Sequence, residues 1–402
     1  MTEGSSSTSR RVVIVGGGVA GLEALLALRS LAGDRVTLSL ISADERFVDR
    51  PVTVAEPFGL ASAMRHSLPD ITAELGAQFV HAKVARVDAG EHRVSPVRGP
   101  DIGFDTLILA PGAQTSPPFA EAIAFGLEGS GQAVREMLGR MRSNEIRSVA
   151  FVAPNITGWL LPLYELALMC AHELTRSQVR DVELRVVTPE EQPLTLFGRH
   201  GSNSVARLLD GAGIEFIGAT NAAVQGSELT LGPGAGSFTV DAVVTLPLLR
   251  GPGLSGVPAT EPHDFLPVDA YGQVEGLADV YAAGDAIDFP VKQGGLAAQQ
   301  ADTVAEHVAA RCGAGVEPAP FRPVLRGMLF TGGQPRFLRS DAPGADPDVT
   351  GAGYPLWWPP TKVAGRYLAP YLFGRTDVEW LGRHPEGFTD VDIPLTAATL
   401  PG

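Results

Sequence analysis

The sequence has few cysteines and no long apolar run. Only Cys170 and Cys312 occur among 402 residues, far apart and without a close pair, so a redox-active dithiol, a structural zinc site or any other metal site is not expected. No stretch of about 18 apolar residues occurs, and the Ser/Thr-rich residues 1–10 lack the apolar segment of a signal peptide. These absences predict a cytoplasmic protein with a disordered tail at residues 1–10.

Basic residues are also scarce, with 31 Lys and Arg against 45 Asp and Glu and a net charge of -14. This balance argues against a nucleic-acid partner and predicts weak or no membrane association. Hydrophobic residues make up 45% of the chain. The length and composition therefore suit two or three globular domains.

The most informative stretch is a glycine turn, Gly16–Gly21, that follows the apolar run Val12–Val15 and precedes a leucine-rich helical segment. Its glycines Gly16, Gly18 and Gly21 fit G-x-G-x-x-G. In that motif the first glycine makes a tight turn, the second lets backbone approach a pyrophosphate, and the third lets helix pack on strand. The helix N-terminus favours the bound anion. We therefore predict dinucleotide binding, although this motif alone does not separate NAD from FAD.

A ribose-binding group is expected at the tip of the second strand, where the sequence has Ser42 followed by Asp44 and Glu45. Three alternatives stay open here. A carboxylate turns back to a ribose hydroxyl, Ser42 binds it as a neutral group, or the segment is a solvated loop.

The remaining pattern predicts an α/β fold with two Rossmann-like domains, the second inserted into the first, plus a small C-terminal domain. The buried strand Phe104–Leu109 ends in a small-residue turn, and Val240–Leu246 is predicted to return the chain to the first sheet. The predicted units are residues 11–113 and 240–317 for a discontinuous dinucleotide-binding domain, which is the FAD-binding domain if the resemblance described below holds, 114–239 for a second, degenerate NAD(P)-type domain, and 318–402 for the C-terminal domain.

The second domain lacks a glycine turn. Between Ala153 and Tyr164 the chain has one glycine, two prolines and bulky side chains, including Trp159, and this composition does not form a close pyrophosphate cradle. We expect Trp159, Pro162 and Tyr164 to line a pocket for a smaller or more apolar donor, and NADH or NADPH to react slowly.

Three stretches together resemble the pyridine nucleotide-disulfide oxidoreductase superfamily, which binds FAD: Gly16–Gly21, Thr106–Ala113 and Val280–Asp285. The segment Lys292–Gln300 resembles the branch of sulfide:quinone and type II NADH:quinone oxidoreductases. The resemblance implies FAD as the cofactor, and an enzyme that passes electrons from a small-molecule donor to an acceptor, with a quinone as one candidate.

The resemblance also implies roles for individual residues. Lys292 and the amides at the N-terminus of the following helix would face the flavin pyrimidine edge, where a cation and a helix dipole stabilise the reduced ring; Lys292 is the predicted catalytic residue, with a solvated surface lysine as the alternative. The predicted cofactor-binding residues are Gly16, Gly18, Gly21, Ser42, Arg50, Pro51, Val84, Ala110, Pro111, Gly112, Gly284, Asp285, Lys292, Gly295 and Leu296.

The sequence departs from that branch at two cysteine positions. Trp159 stands where the first cysteine is expected, six residues before Glu165, and no cysteine occurs near Arg326 and Gly327. Sulfide chemistry of that type is therefore not expected. A standard NADH site is in doubt too, although Glu165 and Glu190 lie where such a site has acidic groups.

The aromatic residues of the C-terminal part, Tyr354–Pro360 and Tyr367–Phe373, leave three interpretations open: a membrane-facing quinone tunnel, a homodimer contact or domain core. The function is likewise left with two alternatives to a flavin enzyme with a non-nicotinamide donor. One is an NAD(P)H:quinone or other acceptor oxidoreductase with a non-standard nicotinamide site, and the other is a non-catalytic flavin-binding protein.

Overall fold

The computed structural model describes residues 9–154, 158–232, 236–340 and 355–375. Most of the predicted N-terminal tail, the segment 155–157 and Tyr354 lie outside the described residues. The tail prediction is wrong at its last residue, because Arg10 begins a strand and its guanidinium pairs with Asp279 at 2.7 Å.

The first sheet has five parallel strands and contains the strand before the glycine turn. From one edge to the other its strands are Val280–Ala282, Thr106–Leu109, Arg10–Val15, Val36–Ser42 and Gln78–His81. The central strands are apolar and β-branched, and Val12, Ile14 and Leu107 are fully buried. Burial on both faces is typical of a parallel sheet covered by helices or a second layer.

A second five-stranded parallel sheet forms the other Rossmann-like unit. Its strands are Ile123–Ala124, Ala242–Thr245, Ser148–Val152, Glu183–Val187 and Ile214–Ile217. The predicted return to the first sheet at Val240–Leu246 is therefore wrong, since Ala242–Thr245 pairs with Ser148–Val152. A short buried apolar strand has the same sequence pattern in either sheet, so only the observed strand pairing shows to which sheet it belongs.

Smaller antiparallel elements connect and cover these sheets. The three-stranded ones are Val84–Asp88, Arg93–Pro96 and Ile102–Gly103, and Ala222–Gln225, Glu228–Leu231 and Ser237–Thr239. The two-stranded ones are Arg46–Val48 with Arg65–Ser67, Gln114–Ser116 with Leu248–Arg250, and Arg326–Leu329 with Arg336–Arg339.

Seven α-helices lie within the described residues. They are Val19–Ala32, Leu68–Glu74, Ser130–Arg142, Leu161–Arg176, Gly198–Gly211, Gly294–Arg311 and Leu368–Phe373. Short 3₁₀ helices are Gly33–Arg35, Arg50–Phe58, Thr195–Phe197 and Gly284–Ala286. The helices Val19–Ala32 and Gly294–Arg311 pack in one core with the first sheet, where small residues such as Ala24, Ala301 and Ala305 permit close approach.

The C-terminal residues divide between the two cores. Leu325, Leu329 and Leu338 join the core of the second unit, whereas Leu368 and Leu372 join that of the first. Trp357 packs in a separate small cluster with Met328 and Phe337, and Lys362 pairs with Glu165 of the second unit. Residues 355–375, here called the C-terminal strap, therefore tie the two units together. Together these features confirm the predicted α/β class with two Rossmann-like sheets.

Candidate functional site

Two glycines of the glycine turn are required by the protein itself. Gly16 has φ +112°, and a Cβ there would lie 2.0 Å from the carbonyl oxygen of Ala110. A Cβ at Gly21 would lie 1.8 Å from the carbonyl oxygen of Gly16. Any side chain at either position would push the first strand, its helix and the Ala110 turn apart.

Gly18 is different, because apart from its neighbours in the chain no atom of the described residues lies within 4 Å of the place where its Cβ would be. It is the N-cap residue of the helix Val19–Ala32, in extended conformation, and no side chain caps the helix. The first amides of this helix are thus left for another acceptor, and a helix N-terminus favours an anion. This open space fits a pyrophosphate at the predicted position.

The structure brings the other two predicted stretches to the glycine turn. The Ala110 amide donates to the Val15 carbonyl at 2.7 Å, and the Ala283 amide donates to Leu109 at 3.0 Å. A Cβ at Gly284, whose φ is +78°, would lie 3.0 Å from the Ala20 Cβ. Three segments that are distant in sequence therefore meet at the carboxyl ends of neighbouring parallel strands, the usual ligand position in such sheets.

The loop after the second strand places Ser42 beside the turn. Ser42 is buried, a Cβ at Gly17 would lie 2.9 Å from its Oγ, and this Oγ accepts the Asp44 amide at 3.2 Å. Asp44 and Glu45 are exposed. Val84 begins a strand of the adjoining three-stranded sheet, and whether it meets a ligand stays a prediction.

Charged groups surround the third stretch. Burial raises the pKa of Asp285, while the positive charges of Lys292 and Arg50 oppose that rise. Asp49, next to Arg50, is buried, and no described residue donates a hydrogen bond to its Oδ1; burial raises the pKa of this carboxyl to about 6. Pro111 is exposed and Gly112 has φ +76°, so this turn is open.

Lys292 is engaged by the protein. Its ammonium donates to the Ile287 carbonyl oxygen and lies 3.6 Å from the centroid of the Phe265 ring, so it is not the solvated surface lysine of the alternative interpretation. Burial lowers the pKa of Lys292 to about 8. The adjoining helix is capped by Gln293, whose Oε1 accepts the Leu296 amide at 2.7 Å. The Leu296 amide is therefore already bound, and Gly294 and Gly295 provide the first amides of this helix.

The sequence analysis missed a buried ion pair. Lys362 Nζ lies 2.6 Å from Glu165 Oε1, and their side chains are 6% and 0% exposed. The same Nζ donates to the carbonyl oxygen of Pro51 at 3.2 Å, and the Phe330 amide donates to Glu165 Oε1 at 2.7 Å. Burial raises the pKa of Glu165 and lowers that of Lys362, so both shifts favour the neutral forms. No sequence signal joins these residues, which are 197 positions apart.

In the second unit, described side chains pack closely around the start of the helix Leu161–Arg176. Tyr164 is fully buried and its hydroxyl donates to Glu190 Oε2 at 2.5 Å, so the expectation that Tyr164 lines a donor pocket is wrong. Trp159 lies with its ring edge toward Phe197, with centroids 5.7 Å apart. A Cβ at Gly327 would lie 2.5 Å from Phe197 Cζ. The two places where cysteines are expected, Trp159 and the vicinity of Gly327, thus both lie against the Phe197 ring. Neither has a cysteine.

The two cysteines form no disulfide with each other. Cys170 is buried, burial raises its pKa to about 12, and both cysteines are free. The described residues contain no cluster of three or more His, Cys, Asp or Glu side chains arranged to hold a metal ion. Among the same residues, no helix has the length and apolar character needed to span a bilayer.

The C-terminal aromatics of the described part make contacts within the chain. Trp357 is buried and donates from Nε1 to the Thr361 carbonyl at 3.0 Å, and Trp358 packs edge-on against Phe373 at 5.4 Å. The Tyr371 hydroxyl donates to Glu74 at 2.9 Å. These contacts within the chain favour the domain-core interpretation, with Trp357 buried and Trp358, Tyr371 and Phe373 half-buried.

The fold and the glycine-turn geometry define an α/β protein of the dinucleotide-binding class. Residues 10–152 match the family described as pyridine nucleotide-disulphide oxidoreductase. The match confirms the predicted resemblance.

Two curated relatives match parts of the chain. A sulfide-quinone reductase of Aquifex aeolicus is 26% identical over 228 residues, which cover 50% of this chain and 48% of that protein. An NADH dehydrogenase-like protein of Mycobacterium tuberculosis is 30% identical over 124 residues, covering 29% of this chain and 30% of that protein. The chain thus matches about half the length, or less, of these curated relatives.

Among solved structures, the sulfide:quinone oxidoreductase of Aquifex aeolicus has a similar fold. Its TM-score is 0.76 at 19% sequence identity, and the superposition covers 83% of this chain and 84% of that one. The similarity therefore extends through both Rossmann-like units and confirms the predicted fold class.

Proposed function

We propose that this protein is an FAD-dependent oxidoreductase that passes electrons from a small-molecule donor to an acceptor, with a quinone as the favoured acceptor. One observation carries the proposal: three separated stretches meet around the empty space above Gly18. The family match over residues 10–152 and the similarity to a sulfide-quinone reductase support it.

The residues present fit FAD. The glycine turn offers open backbone and an uncapped helix N-terminus to the pyrophosphate, and Ser42 lies beside it as the candidate for the ribose. Ala110, Gly112 and Asp285 lie on the adjoining strand ends. Bound FAD would supply an isoalloxazine ring that accepts and releases two electrons.

Two lysines set the charge around this site. Lys292, held by Ile287 and Phe265, supplies a cation near Asp285. Lys362 lies against Pro51, a predicted cofactor-lining residue, and shares its buried position with Glu165. Because burial lowers its pKa, Lys362 holds the proton at Nζ less tightly than a surface lysine does. The Lys362–Glu165 pair can therefore keep or release a proton when the charge of a neighbouring group changes.

The donor is proposed to be something other than NADH or NADPH. The acidic groups that a nicotinamide dinucleotide would need are engaged inside the chain, Glu190 by Tyr164 and Glu165 by Lys362. The hairpin residue Gly327 packs directly on Phe197 and Leu161, at the start of the helix Leu161–Arg176. Little room is left for a nucleotide at this end of the second sheet.

The experiment is anaerobic reduction of the purified, FAD-loaded protein by NADH, NADPH and sulfide in separate runs, followed by reoxidation with a quinone. We expect slow, non-saturating reduction by all three and rapid reoxidation by the quinone after chemical reduction with dithionite. Fast saturable reduction by micromolar NADH would favour the NADH:quinone alternative. A flavin that no acceptor reoxidises would favour the non-catalytic alternative.

A further inference from the structure

Glu23, from the helix that follows the glycine turn, anchors the C-terminal strap. Its side chain is fully buried, and its two carboxylate oxygens accept the amides of Tyr367 and Leu368, each at 2.7 Å. A Cβ at Gly365 would lie 2.5 Å from Glu23 Oε2, so the strap backbone runs directly against this carboxylate. The contact joins positions more than 340 residues apart.

A second carboxyl, Asp302 of the helix Gly294–Arg311, lies within hydrogen-bonding distance of the Glu23 side chain. Its Oδ1 is buried and has no hydrogen-bond donor in the described structure. Burial, then the negative charge of Glu23 and a side-chain hydrogen bond with it, raise the pKa of Asp302 to about 9. Two ionised carboxylates are not stable side by side in a buried position, so one of the pair must carry a proton. Glu23 already accepts two amides, which leaves the proton on Asp302.

The other charged groups around the pair come from the same helix and from the strap. Glu306 disfavours the ionised form of Asp302, while Arg366 favours it, and these two pair with each other at 2.9 Å. The Tyr367 hydroxyl has its own pKa raised, first by burial. A cavity of about 540 Å³ is lined by Asp302, Glu306 and Arg366, so it reaches the Asp302 side of the pair.

We propose that Glu23 and Asp302 are positioning residues that share one proton, and that this shared proton fixes the strap, and with it Lys362, against the first Rossmann-like unit. The helices that carry the two acids both begin at the proposed cofactor site, at Gly18 and at Gln293. Only the cofactor part of this proposal rests on the proposed function. The proton itself does not.

The arrangement implies a defined dependence on pH. A carboxyl whose pKa is higher in the folded protein stabilises the fold fully below its unfolded pKa, and that contribution is lost as pH rises through the folded value. The attachment of the strap at Tyr367 and Leu368 should therefore weaken as pH approaches about 9, where Asp302 loses its proton.

Infrared spectroscopy of the full chain tests the proton directly. At pH 7 the wild-type spectrum minus that of Asp302→Asn should contain the C=O band of a protonated carboxylic acid, and this band should disappear with a midpoint near pH 9. Glu306→Gln, which removes an acid one turn away, should keep the band. Absence of the band in the wild-type protein at pH 7 would overturn the proposal.

Amide hydrogen exchange tests the positioning. Protection at Tyr367 and Leu368, corrected for intrinsic rates, should fall at least tenfold between pH 7 and pH 10 in the wild type. In Asp302→Asn it should stay constant, because the asparagine amide donates to Glu23 at every pH. The same loss in both proteins would contradict the proposal. Neither readout requires bound flavin, so failure of the proposed function and failure of this inference are separable.

Discussion

After the first strand of the first sheet, the chain turns through Gly16, Gly18 and Gly21 and leaves space above Gly18. After the corresponding strand of the second sheet, Ser148–Val152, it passes Trp159 and enters a helix through Leu161 and Pro162. Neither helix has a side-chain cap, so the two units differ in the space above the helix start: it is open above Gly18 in the first unit, whereas Trp159 and Phe197 pack together in the second. Only the first is suited to an anionic ligand.

Buried acids show the same contrast. In the first unit Asp49 has an oxygen without a donor, whereas Glu190 in the second unit accepts the Tyr164 hydroxyl and the Leu194 amide. Buried polar groups are normally paired, and an unpaired one calls for a reason. Among these two buried acids, Asp49 of the first unit keeps an oxygen without a donor in the described structure, while Glu190 of the second unit is satisfied internally. This difference supports the proposal of a single dinucleotide site, in the first unit.

The largest effect is expected at Gly18. Gly18→Val places its side chain in space that the protein does not fill, so the fold should survive while FAD affinity falls by about a hundredfold or more. Flavin content after purification and a thermal melt measure both. Gly139→Val, at another glycine with no neighbouring atom within 4 Å, is the control and should keep its flavin. Full flavin occupancy in Gly18→Val would contradict the assignment of the turn.

Asp49→Asn sharpens the contrast between the buried acids. Because burial raises the pKa of Asp49 to about 6, the ionised carboxylate destabilises the folded protein at pH 7. The variant should be more stable than the wild type by up to about 3 kcal/mol at pH 7, with no difference below pH 4. Denaturant unfolding of the flavin-free protein at the two pH values measures this. An equal difference in the free energy of unfolding at both pH values would mean that ionisation of Asp49 plays no part.

Gly327→Ala tests the closed turn of the second unit. Its Cβ would overlap Phe197 Cζ at 2.5 Å and Leu161 Cδ1 at 2.9 Å, so the free energy of unfolding should fall by about 1–3 kcal/mol. Adding Phe197→Leu should recover part of the loss, because it removes one of the two obstacles. Denaturant unfolding of the single and double variants checks this. A neutral Gly327→Ala would show that the hairpin is packed loosely enough to admit a ligand.

Local features were predictable from sequence, and long-range ones were not. The glycine turn, the helix after it and the Ala110 turn follow from short patterns with known backbone requirements. The pairing of Ala242–Thr245 did not, since its apolar residues suit either parallel sheet. The Lys362–Glu165 pair and the Glu23 anchor join residues that only the tertiary fold brings together. The prediction for Tyr164 was wrong because the sequence pattern of a tyrosine near a turn is compatible with a pocket lining and with a buried core position alike.

Counting the dinucleotides that each chain binds tests the central claim most directly. Flavin-free protein is titrated with FAD to saturation and then with NADH, and binding is followed by calorimetry. The structure predicts one FAD per chain and no NADH binding at micromolar concentration. Saturable micromolar binding of NADH to the FAD-loaded protein would contradict the account, because it would require a second open dinucleotide site where Tyr164, Glu190 and Phe197 now pack.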